Sequence, residues 1–265
     1  VKSNNGEFTL DIYIDPKTPA GNYQIIAHSF ALMVENLFYL ESWSDPPITI
    51  YTPTGITVGA SLGTYYVDKP VRIAGKVIEE DGDLPIAGAA LMLEREGEPP
   101  IDTTTNESGN YSAALTFTRR GANNVEIVFN GTEFYDPLSR KLELEVWMET
   151  NLKLTIPAST IAGNDTTVKG NLLDARGAPV SNQRVTVLDG TTVIGTPRTN
   201  DRGEFSITKS FDERGEHGIR AEFDRANFYE RSQSEGQLPV YMLTTLTSNI
   251  GPGSTARVAE VLELQ

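Results

Sequence analysis

The sequence predicts an all-β chain of tandem sandwiches, on two observations. One is an internal repeat. Residues 109–135, G-N-Y-S-A-A-L-T-F-T-R-R-G-A-N-N-V-E-I-V-F-N-G-T-E-F-Y, recur with their spacing intact at residues 203–229, 94 residues later. Gly109 matches Gly203, Tyr111 matches Phe205, Phe117 matches Phe211 and Gly121 matches Gly215. Val125 matches Ile219, Phe129 matches Phe223, and Phe134-Tyr135 match Phe228-Tyr229. Self-similarity at a fixed period is the signature of a repeat architecture. The other observation is local. Short segments alternate apolar and polar residues between Gly, Pro, Asn and Asp, as half-buried strands joined by turns do.

Taken in order, residues 1–51 read as the C-terminal half of one repeat, with Gly6, Phe8, Gly21, Tyr23, Ile25 and Phe38-Tyr39 as a looser third copy. Phe8, Leu10, Ile12 and Ile14 alternate as one strand, and the turn D-P-K-T-P-A-G-N ends it. Residues 29–43 depart from the pattern: Phe30, Ala31, Leu32, Met33, Val34, Leu37, Phe38 and Leu40 are too dense for simple alternation. Core packing, as a doubly buried strand or a short helix, is one reading of this segment. A partner-contact patch using Phe30, Leu32, Leu37, Phe38, Tyr39 and Trp43 is the other.

Residues 52–147 form a full copy. It has a leading strand at 56–62, then Val71, Ile73 and Val77 on one face, and Ala89, Leu91 and Leu93 on the next strand. Residues 148–242 repeat the plan. Val125, Ile127 and Phe129 point inward, as do Ile219, Ala221 and Phe223, with Arg220 and Glu222 toward water. Residues 243–265 open a further copy, because T-T-L-T-S-N-I matches T-N-L-K-L-T-I at 150–156. About seven short strands per 95 residues, with turns every 8 to 12, is the pattern of an immunoglobulin-like sandwich. The chain is therefore expected to be a piece of a longer array. Its C-terminal leading strands are expected to be able to complete the first repeat of a neighbouring molecule by strand exchange.

Composition narrows the function. A net charge of −14 and a pI near 4.6 disfavour nucleic acid, which requires clustered Lys and Arg, and anionic lipid. No apolar run is long enough to suggest a membrane-spanning helix, and the first residues lack the pattern of a signal peptide. With no cysteine, disulfides, thiolate metal sites and a cysteine nucleophile are excluded.

Few residues are candidates for chemistry. G-A-S-L-G at 59–63 matches the nucleophile-elbow pattern, but that motif needs a strand, a tight turn and a helix, whereas Tyr65, Tyr66 and Val67 read as more strand. Only His28 and His217 are present. They fall in different copies, His28 as a core-edge side chain and His217 as a solvated loop residue, so a shared zinc is not expected. Glu79, Glu80, Asp81 and Asp83 crowd one turn. They form a solvated acidic loop or a weak calcium site, since the D-x-D-x-D-G spacing is missing. Otherwise no cofactor is expected. Sequons at Asn106, Asn110, Asn130 and Asn164 fall in or beside turns, where an attached glycan would be solvated.

The run G-N-L-L-D-A-R-G-A-P-V-S-N-Q-R-V at 170–185, followed by T-N-D-R-G-E-F at 199–205, resembles the immunoglobulin-like repeats of bacterial and archaeal cell-surface proteins, of the Big or carboxypeptidase-regulatory-like type. F-N-G-T-E-F-Y-D-P-L-S at 129–139 is similar to the loop before the last strand of those repeats. The first copy departs at 75–85, where an acidic turn replaces the shorter D-A-R-G. The resemblance implies a non-catalytic, extracellular array: a stalk, an adhesive shaft, or a unit of a surface layer, sheath or filament, associating with itself or other surface proteins. It also implies two alternatives. One is a spacer in a larger secreted enzyme of transglutaminase-like or protease-like kind; the other is a carbohydrate- or peptide-binding module. Fold alone does not choose among them.

Overall fold

The computed structural model describes residues 9–35, 37–80 and 83–245. Among them are strands and turns and no helix, and the chain divides into two units, one ending at Trp147 and one starting at Met148.

The first unit opens with residues 9–14, which form no strand. The strand expected at 8–14 is thus not made over its described part (Phe8 lies outside the described residues), and Leu10, Ile12 and Ile14 stay exposed. Alternation marks a face that could be buried, but no described strand lies beside this one to form a ladder. Six short strands follow: β1 (Gly21–Gln24), β2 (Ala27–Ser29), β3 (Leu32–Val34), β4 (Leu37–Tyr39), β5 (Ser42–Ser44) and β6 (Pro47–Ile50). β1 pairs with β6, β2 with β5 and β3 with β4, all antiparallel. Together they make one long hairpin in three ladder segments. Among the described residues of 29–43, neither a doubly buried strand nor a helix forms.

The rest of this unit is a sandwich of eight strands: β7 (Thr54–Ala60), β8 (Tyr65–Tyr66), β9 (Pro70–Glu79), β10 (Ala90–Arg95), β11 (Glu98–Thr104), β12 (Asn110–Thr116), β13 (Gly121–Phe129) and β14 (Leu138–Trp147). One sheet runs β11-β10-β13-β14-β8 and the other β12-β9-β7. Ile73, Val77, Leu93, Leu115, Val125, Ile127 and Val146 meet between them, fully buried. Each such side chain contributes about 1.5–3 kcal/mol by leaving water.

The second unit repeats this with β15 (Thr150–Thr155), β16 (Thr160–Ile161), β17 (Asp165–Asp174), β18 (Thr186–Asp189), β19 (Thr192–Gly195), β20 (Glu204–Ser210), β21 (Gly215–Phe223) and β22 (Ser232–Tyr241). Its sheets run β15-β17-β20 and β16-β22-β21-β18-β19. The core holds Val168, Leu172, Val185, Val187, Ile219, Ala221, Phe223 and Leu238. Gly215 faces Val240 across β21 and β22, as Gly121 faces Val146 across β13 and β14.

The recurring motifs turn out to be structural devices. In T-N-x-x-G, the threonine is buried. Thr105 Oγ1 accepts from Ala89 N (2.9 Å) and donates to Ile86 O (2.6 Å), as Thr199 Oγ1 accepts from Gln183 N (2.9 Å) and donates to Val180 O (2.7 Å). The asparagine oxygen then caps the turn, accepting from Ser108 and Asn110 N–H in one copy and from Arg202 and Glu204 N–H in the other. The glycine takes φ +74° in both, a conformation L side chains rarely adopt. Two strand glycines are fixed by close approach instead. Gly75 lies under Tyr111, and Gly170 under the ring of Phe205. Tyr111 donates its hydroxyl to Thr57 O (2.8 Å), and burial pushes that phenol up to about 12.

Candidate functional site

The hairpin β1–β6 is the described surface that the fold leaves unfinished. Its base is tied to the sandwich through Glu79. Alternation along β9 carries Val71, Ile73, Gly75 and Val77 inward, and Glu79 continues that face; its residue is 2% exposed. Oε1 accepts from the Tyr135 hydroxyl (3.1 Å) and from Ala20 N (3.3 Å), just before β1. Oε2 is buried and has no hydrogen-bond partner among the described residues. Burial, then the hydrogen bond and charge of Glu79, push the Tyr135 phenol up to about 12. Tyr23 donates to Pro19 O (2.6 Å) and Thr49 to Asn22 Oδ1 (2.8 Å), fixing the entry to the hairpin.

Midway along it, His28 stacks on Trp43, with ring centroids 3.7 Å apart and planes 8° from parallel, while the Phe30 ring centroid lies 4.3 Å from that of His28, tilted by 55°. His28 Nε2 is 3.4 Å from Glu41 Oε2. The expected core-edge histidine instead belongs to an aromatic cluster on the hairpin, stacked on Trp43 and in tilted contact with Phe30. At the tip, Leu32 faces Tyr39, Met33 faces Phe38 and Val34 faces Leu37. Cross-strand partners share a face and successive residues alternate. One face therefore carries Leu32, Val34, Leu37 and Tyr39, and the other Met33 and Phe38. All are exposed, as are Phe30 at 76%, Leu40 at 80% and Trp43 at 63%. Apolar residues on both faces of an exposed ribbon are unusual for a solvated hairpin. Burying one such side chain contributes about 1.5–3 kcal/mol.

All six partner-contact candidates thus lie on this one element. The acidic turn does not gather in the same way. Glu79 points inward, Glu80 and Asp83 are exposed, and Asp81 lies outside the described residues. No group of three or more His or acidic residues among the described residues is placed to hold a metal ion. Sequence reasoning treated Glu79 as part of that turn; the period-2 pattern of β9 was the signal that it belongs to the core face.

His217 is a further correction. It sits within β21, its side chain 14% exposed, not in a solvated loop. Nδ1 is 2.6 Å from Asp189 Oδ2 and Nε2 is 2.9 Å from Glu213 O. The Asp189 hydrogen bond raises its pKa above the ordinary value, burial opposes this, and the Glu213 carbonyl adds to the rise. Ser61 lies just past β7, with no helix after it. Asn106, Asn110, Asn130 and Asn164 are all exposed. The outer face of β15-β17-β20 bears an open groove of about 680 Å³ lined by Lys153, Lys169, Arg198, Asn200 and Glu204 among others, and neither histidine reaches it.

No family model matches the chain, and no curated protein sequence matches it. Among solved structures it is similar to an ICAM-5 ectodomain fragment spanning domains D1 to D4, with 15% identity and a TM-score of 0.53 over 86% of this chain and 64% of that one. It therefore spans just under two thirds of that structure. It is also similar to the Escherichia coli adhesin FdeC, with 16% identity and a TM-score of 0.40 over 83% of this chain and 74% of that one. A third is a C-terminal fragment of intimin solved with the intimin-binding domain of its translocated receptor, with 14% identity and a TM-score of 0.42 over 68% and 63%. At such identity the likeness to the first shows the fold: tandem immunoglobulin-like β-sandwiches. No helix among the described residues is long and apolar enough to cross a membrane.

Proposed function

We propose that this chain is a non-catalytic structural and adhesive module of a cell exterior, an array of sandwiches that presents the hairpin β1–β6 to a protein partner. Its use in a stalk, sheath or surface layer belongs to the same reading, as do glycans on Asn106, Asn110, Asn130 and Asn164. One observation carries it: the hairpin is apolar on both faces while the sandwiches are filled by their own side chains. The acidic surface, at −14 overall, supports solubility while that patch waits for a partner.

Beads coated with the full chain test this, scored for clustering with one another and for attachment to cell monolayers. The comparison is a variant carrying Phe30→Ser, Phe38→Ser and Trp43→Ser, three exposed positions whose change leaves the sandwich cores intact. Loss of clustering or attachment in the variant is the expected result. Wild type and variant behaving alike in both assays overturns the reading.

A further inference from the structure

The sheet β15-β17-β20 turns Leu152, Val168, Leu172 and Phe205 to the core of the second sandwich, and its other face to solvent. Alternation and register fix what that outer face carries. Thr155, Lys169 and Ser206 form one cross-strand row, and Lys153, Asn171 and Glu204 the next. Thr167 and Thr208 follow on the other side, their hydroxyls 2.9 Å apart. The groove of about 680 Å³ along Lys153, Lys169 and Arg198 meets a second of about 460 Å³ lined by Ser159, Thr160 and Thr167, and Thr155 and Lys169 line both.

Charge here runs against the chain as a whole, which is −14. Lys153 and Lys169 are exposed and have no acidic partner among the described residues. Arg198 is held by Asn182 O (2.8 Å) and not by a carboxylate. The two acids of the grooves stand away from Lys169. Asp165 is four positions earlier on β17, and Glu204 accepts from Asn200 Nδ2 (3.2 Å).

The chemistry of the face selects its ligand. Small molecules are held in enclosing, largely apolar pockets, and this face is open and polar. Bases need aromatic rings on which to stack, whereas Phe205, the aromatic residue of the larger groove, belongs to the core. An extended peptide is held by the free backbone groups of a sheet edge and by side-chain pockets, but β17, at the centre of this face, is paired on both sides. What remains is a set of hydroxyls and amides, which donate and accept, around cations, which only donate. That set matches a chain rich in hydroxyls that carries regular negative charges.

We propose that the outer face of β15-β17-β20 binds an acidic polysaccharide. Its carboxylate or sulfate groups lie at Lys153, Lys169 and Arg198, and its sugar hydroxyls at Thr155, Asn171 and Ser206. The site is separate from the hairpin and gives the chain a second kind of contact. The first sandwich supplies an internal comparison, aligned through Gly75 and Gly170, which face Val58 and Leu154. Its matching face has Thr57, Gly59, Ala74 and Ala114 in place of Lys153, Thr155, Lys169 and Thr208. Arg72 and Lys76 keep that face positive, but the central cation and two of the hydroxyls are gone.

Isothermal titration calorimetry of the full chain tests this with alginate (a carboxylated polysaccharide), heparin (a sulfated one), uncharged dextran and poly-L-glutamate. Binding of alginate or heparin is expected, with the preferred one identifying the acid group, and it should weaken as salt is raised. Lys153→Gln combined with Lys169→Gln should weaken binding roughly tenfold. Arg72→Gln combined with Lys76→Gln, the same change of charge on the first sandwich, should leave it nearly unchanged. Lys169→Arg should retain it, and equal melting temperatures would show that these exposed changes leave the fold intact. The proposal is overturned if neither acidic polysaccharide binds, if dextran or poly-L-glutamate binds as tightly, or if the two double variants lose binding equally. Such a failure leaves the hairpin reading standing, because attachment that depends on Phe30, Phe38 and Trp43 is measured on a different surface.

Discussion

Gly170→Ala reads out the packing of the second sandwich. A Cβ at Gly170 would lie 2.6 Å from Phe205 Cε1 and 2.7 Å from Lys153 O. Both are closer than carbon tolerates, and one is backbone of β15. The ring or the strand must give way. Overpacking of this kind costs about 1–3 kcal/mol, offset by about 0.4–1 kcal/mol from restricting the unfolded chain, for a net loss of about 1–2 kcal/mol. Gly75→Ala is expected to cost more. Its Cβ would overlap the Thr57 carbonyl oxygen and lie 2.6 Å from the Tyr111 hydroxyl, endangering a hydrogen bond worth about 1 kcal/mol. For a unit near 100 residues, 1 kcal/mol moves Tm by about 4–8 °C. Differential scanning calorimetry should show Gly170→Ala lowering one transition by about 5–15 °C and Gly75→Ala lowering a different one. Both variants shifting a single common transition, or either shifting none, would refute the picture of two separately packed cores.

Two further outcomes follow from the buried polar groups. Glu79→Ala removes the acceptor for Ala20 N–H and Tyr135 Oη–H, so the first unit should lose about 2 kcal/mol and residues 19–21 should become the earliest site of limited proteolysis; an unaltered digestion pattern would contradict the anchor. His217 has a raised pKa in the folded chain, so its pairing with Asp189 stabilises fully below about pH 6.5, the ordinary histidine value, and is lost as pH rises through the raised folded value. The second unit should therefore melt lower at pH 8.5 than at pH 6, and His217→Gln should flatten that slope; equal slopes in both proteins would contradict it.

Much of the fold was legible because a repeat exposes its own constraints. Val125, Ile127 and Phe129, with Ile219, Ala221 and Phe223, read as inward-facing from spacing alone, and all six are buried. Thr105 and Thr199 recur because one hydroxyl must both accept and donate inside each sandwich. What stayed illegible depends on whether a partner strand is present. Leu10, Ile12 and Ile14 carry the alternation of a strand yet have no ladder, since a pattern names the face to be buried and not what buries it. The dense run from Phe30 to Leu40 fits a buried strand equally well, and only the pairing of β3 with β4 shows both faces turned to water. Glu79 was hidden by the acids that follow it. His217 was hidden by its glycine-rich neighbours, which read as a loop although β21 begins at Gly215.

Amide hydrogen exchange over residues 21–50 of the full chain, compared at nanomolar and high micromolar concentration, addresses the role of the hairpin most directly. Association through the hairpin predicts that the amides of β1–β6 slow markedly as concentration rises, while those of β13 and β21 stay unchanged. Exchange in β1–β6 that is rapid and identical at both concentrations would contradict the hairpin as a self-contact surface.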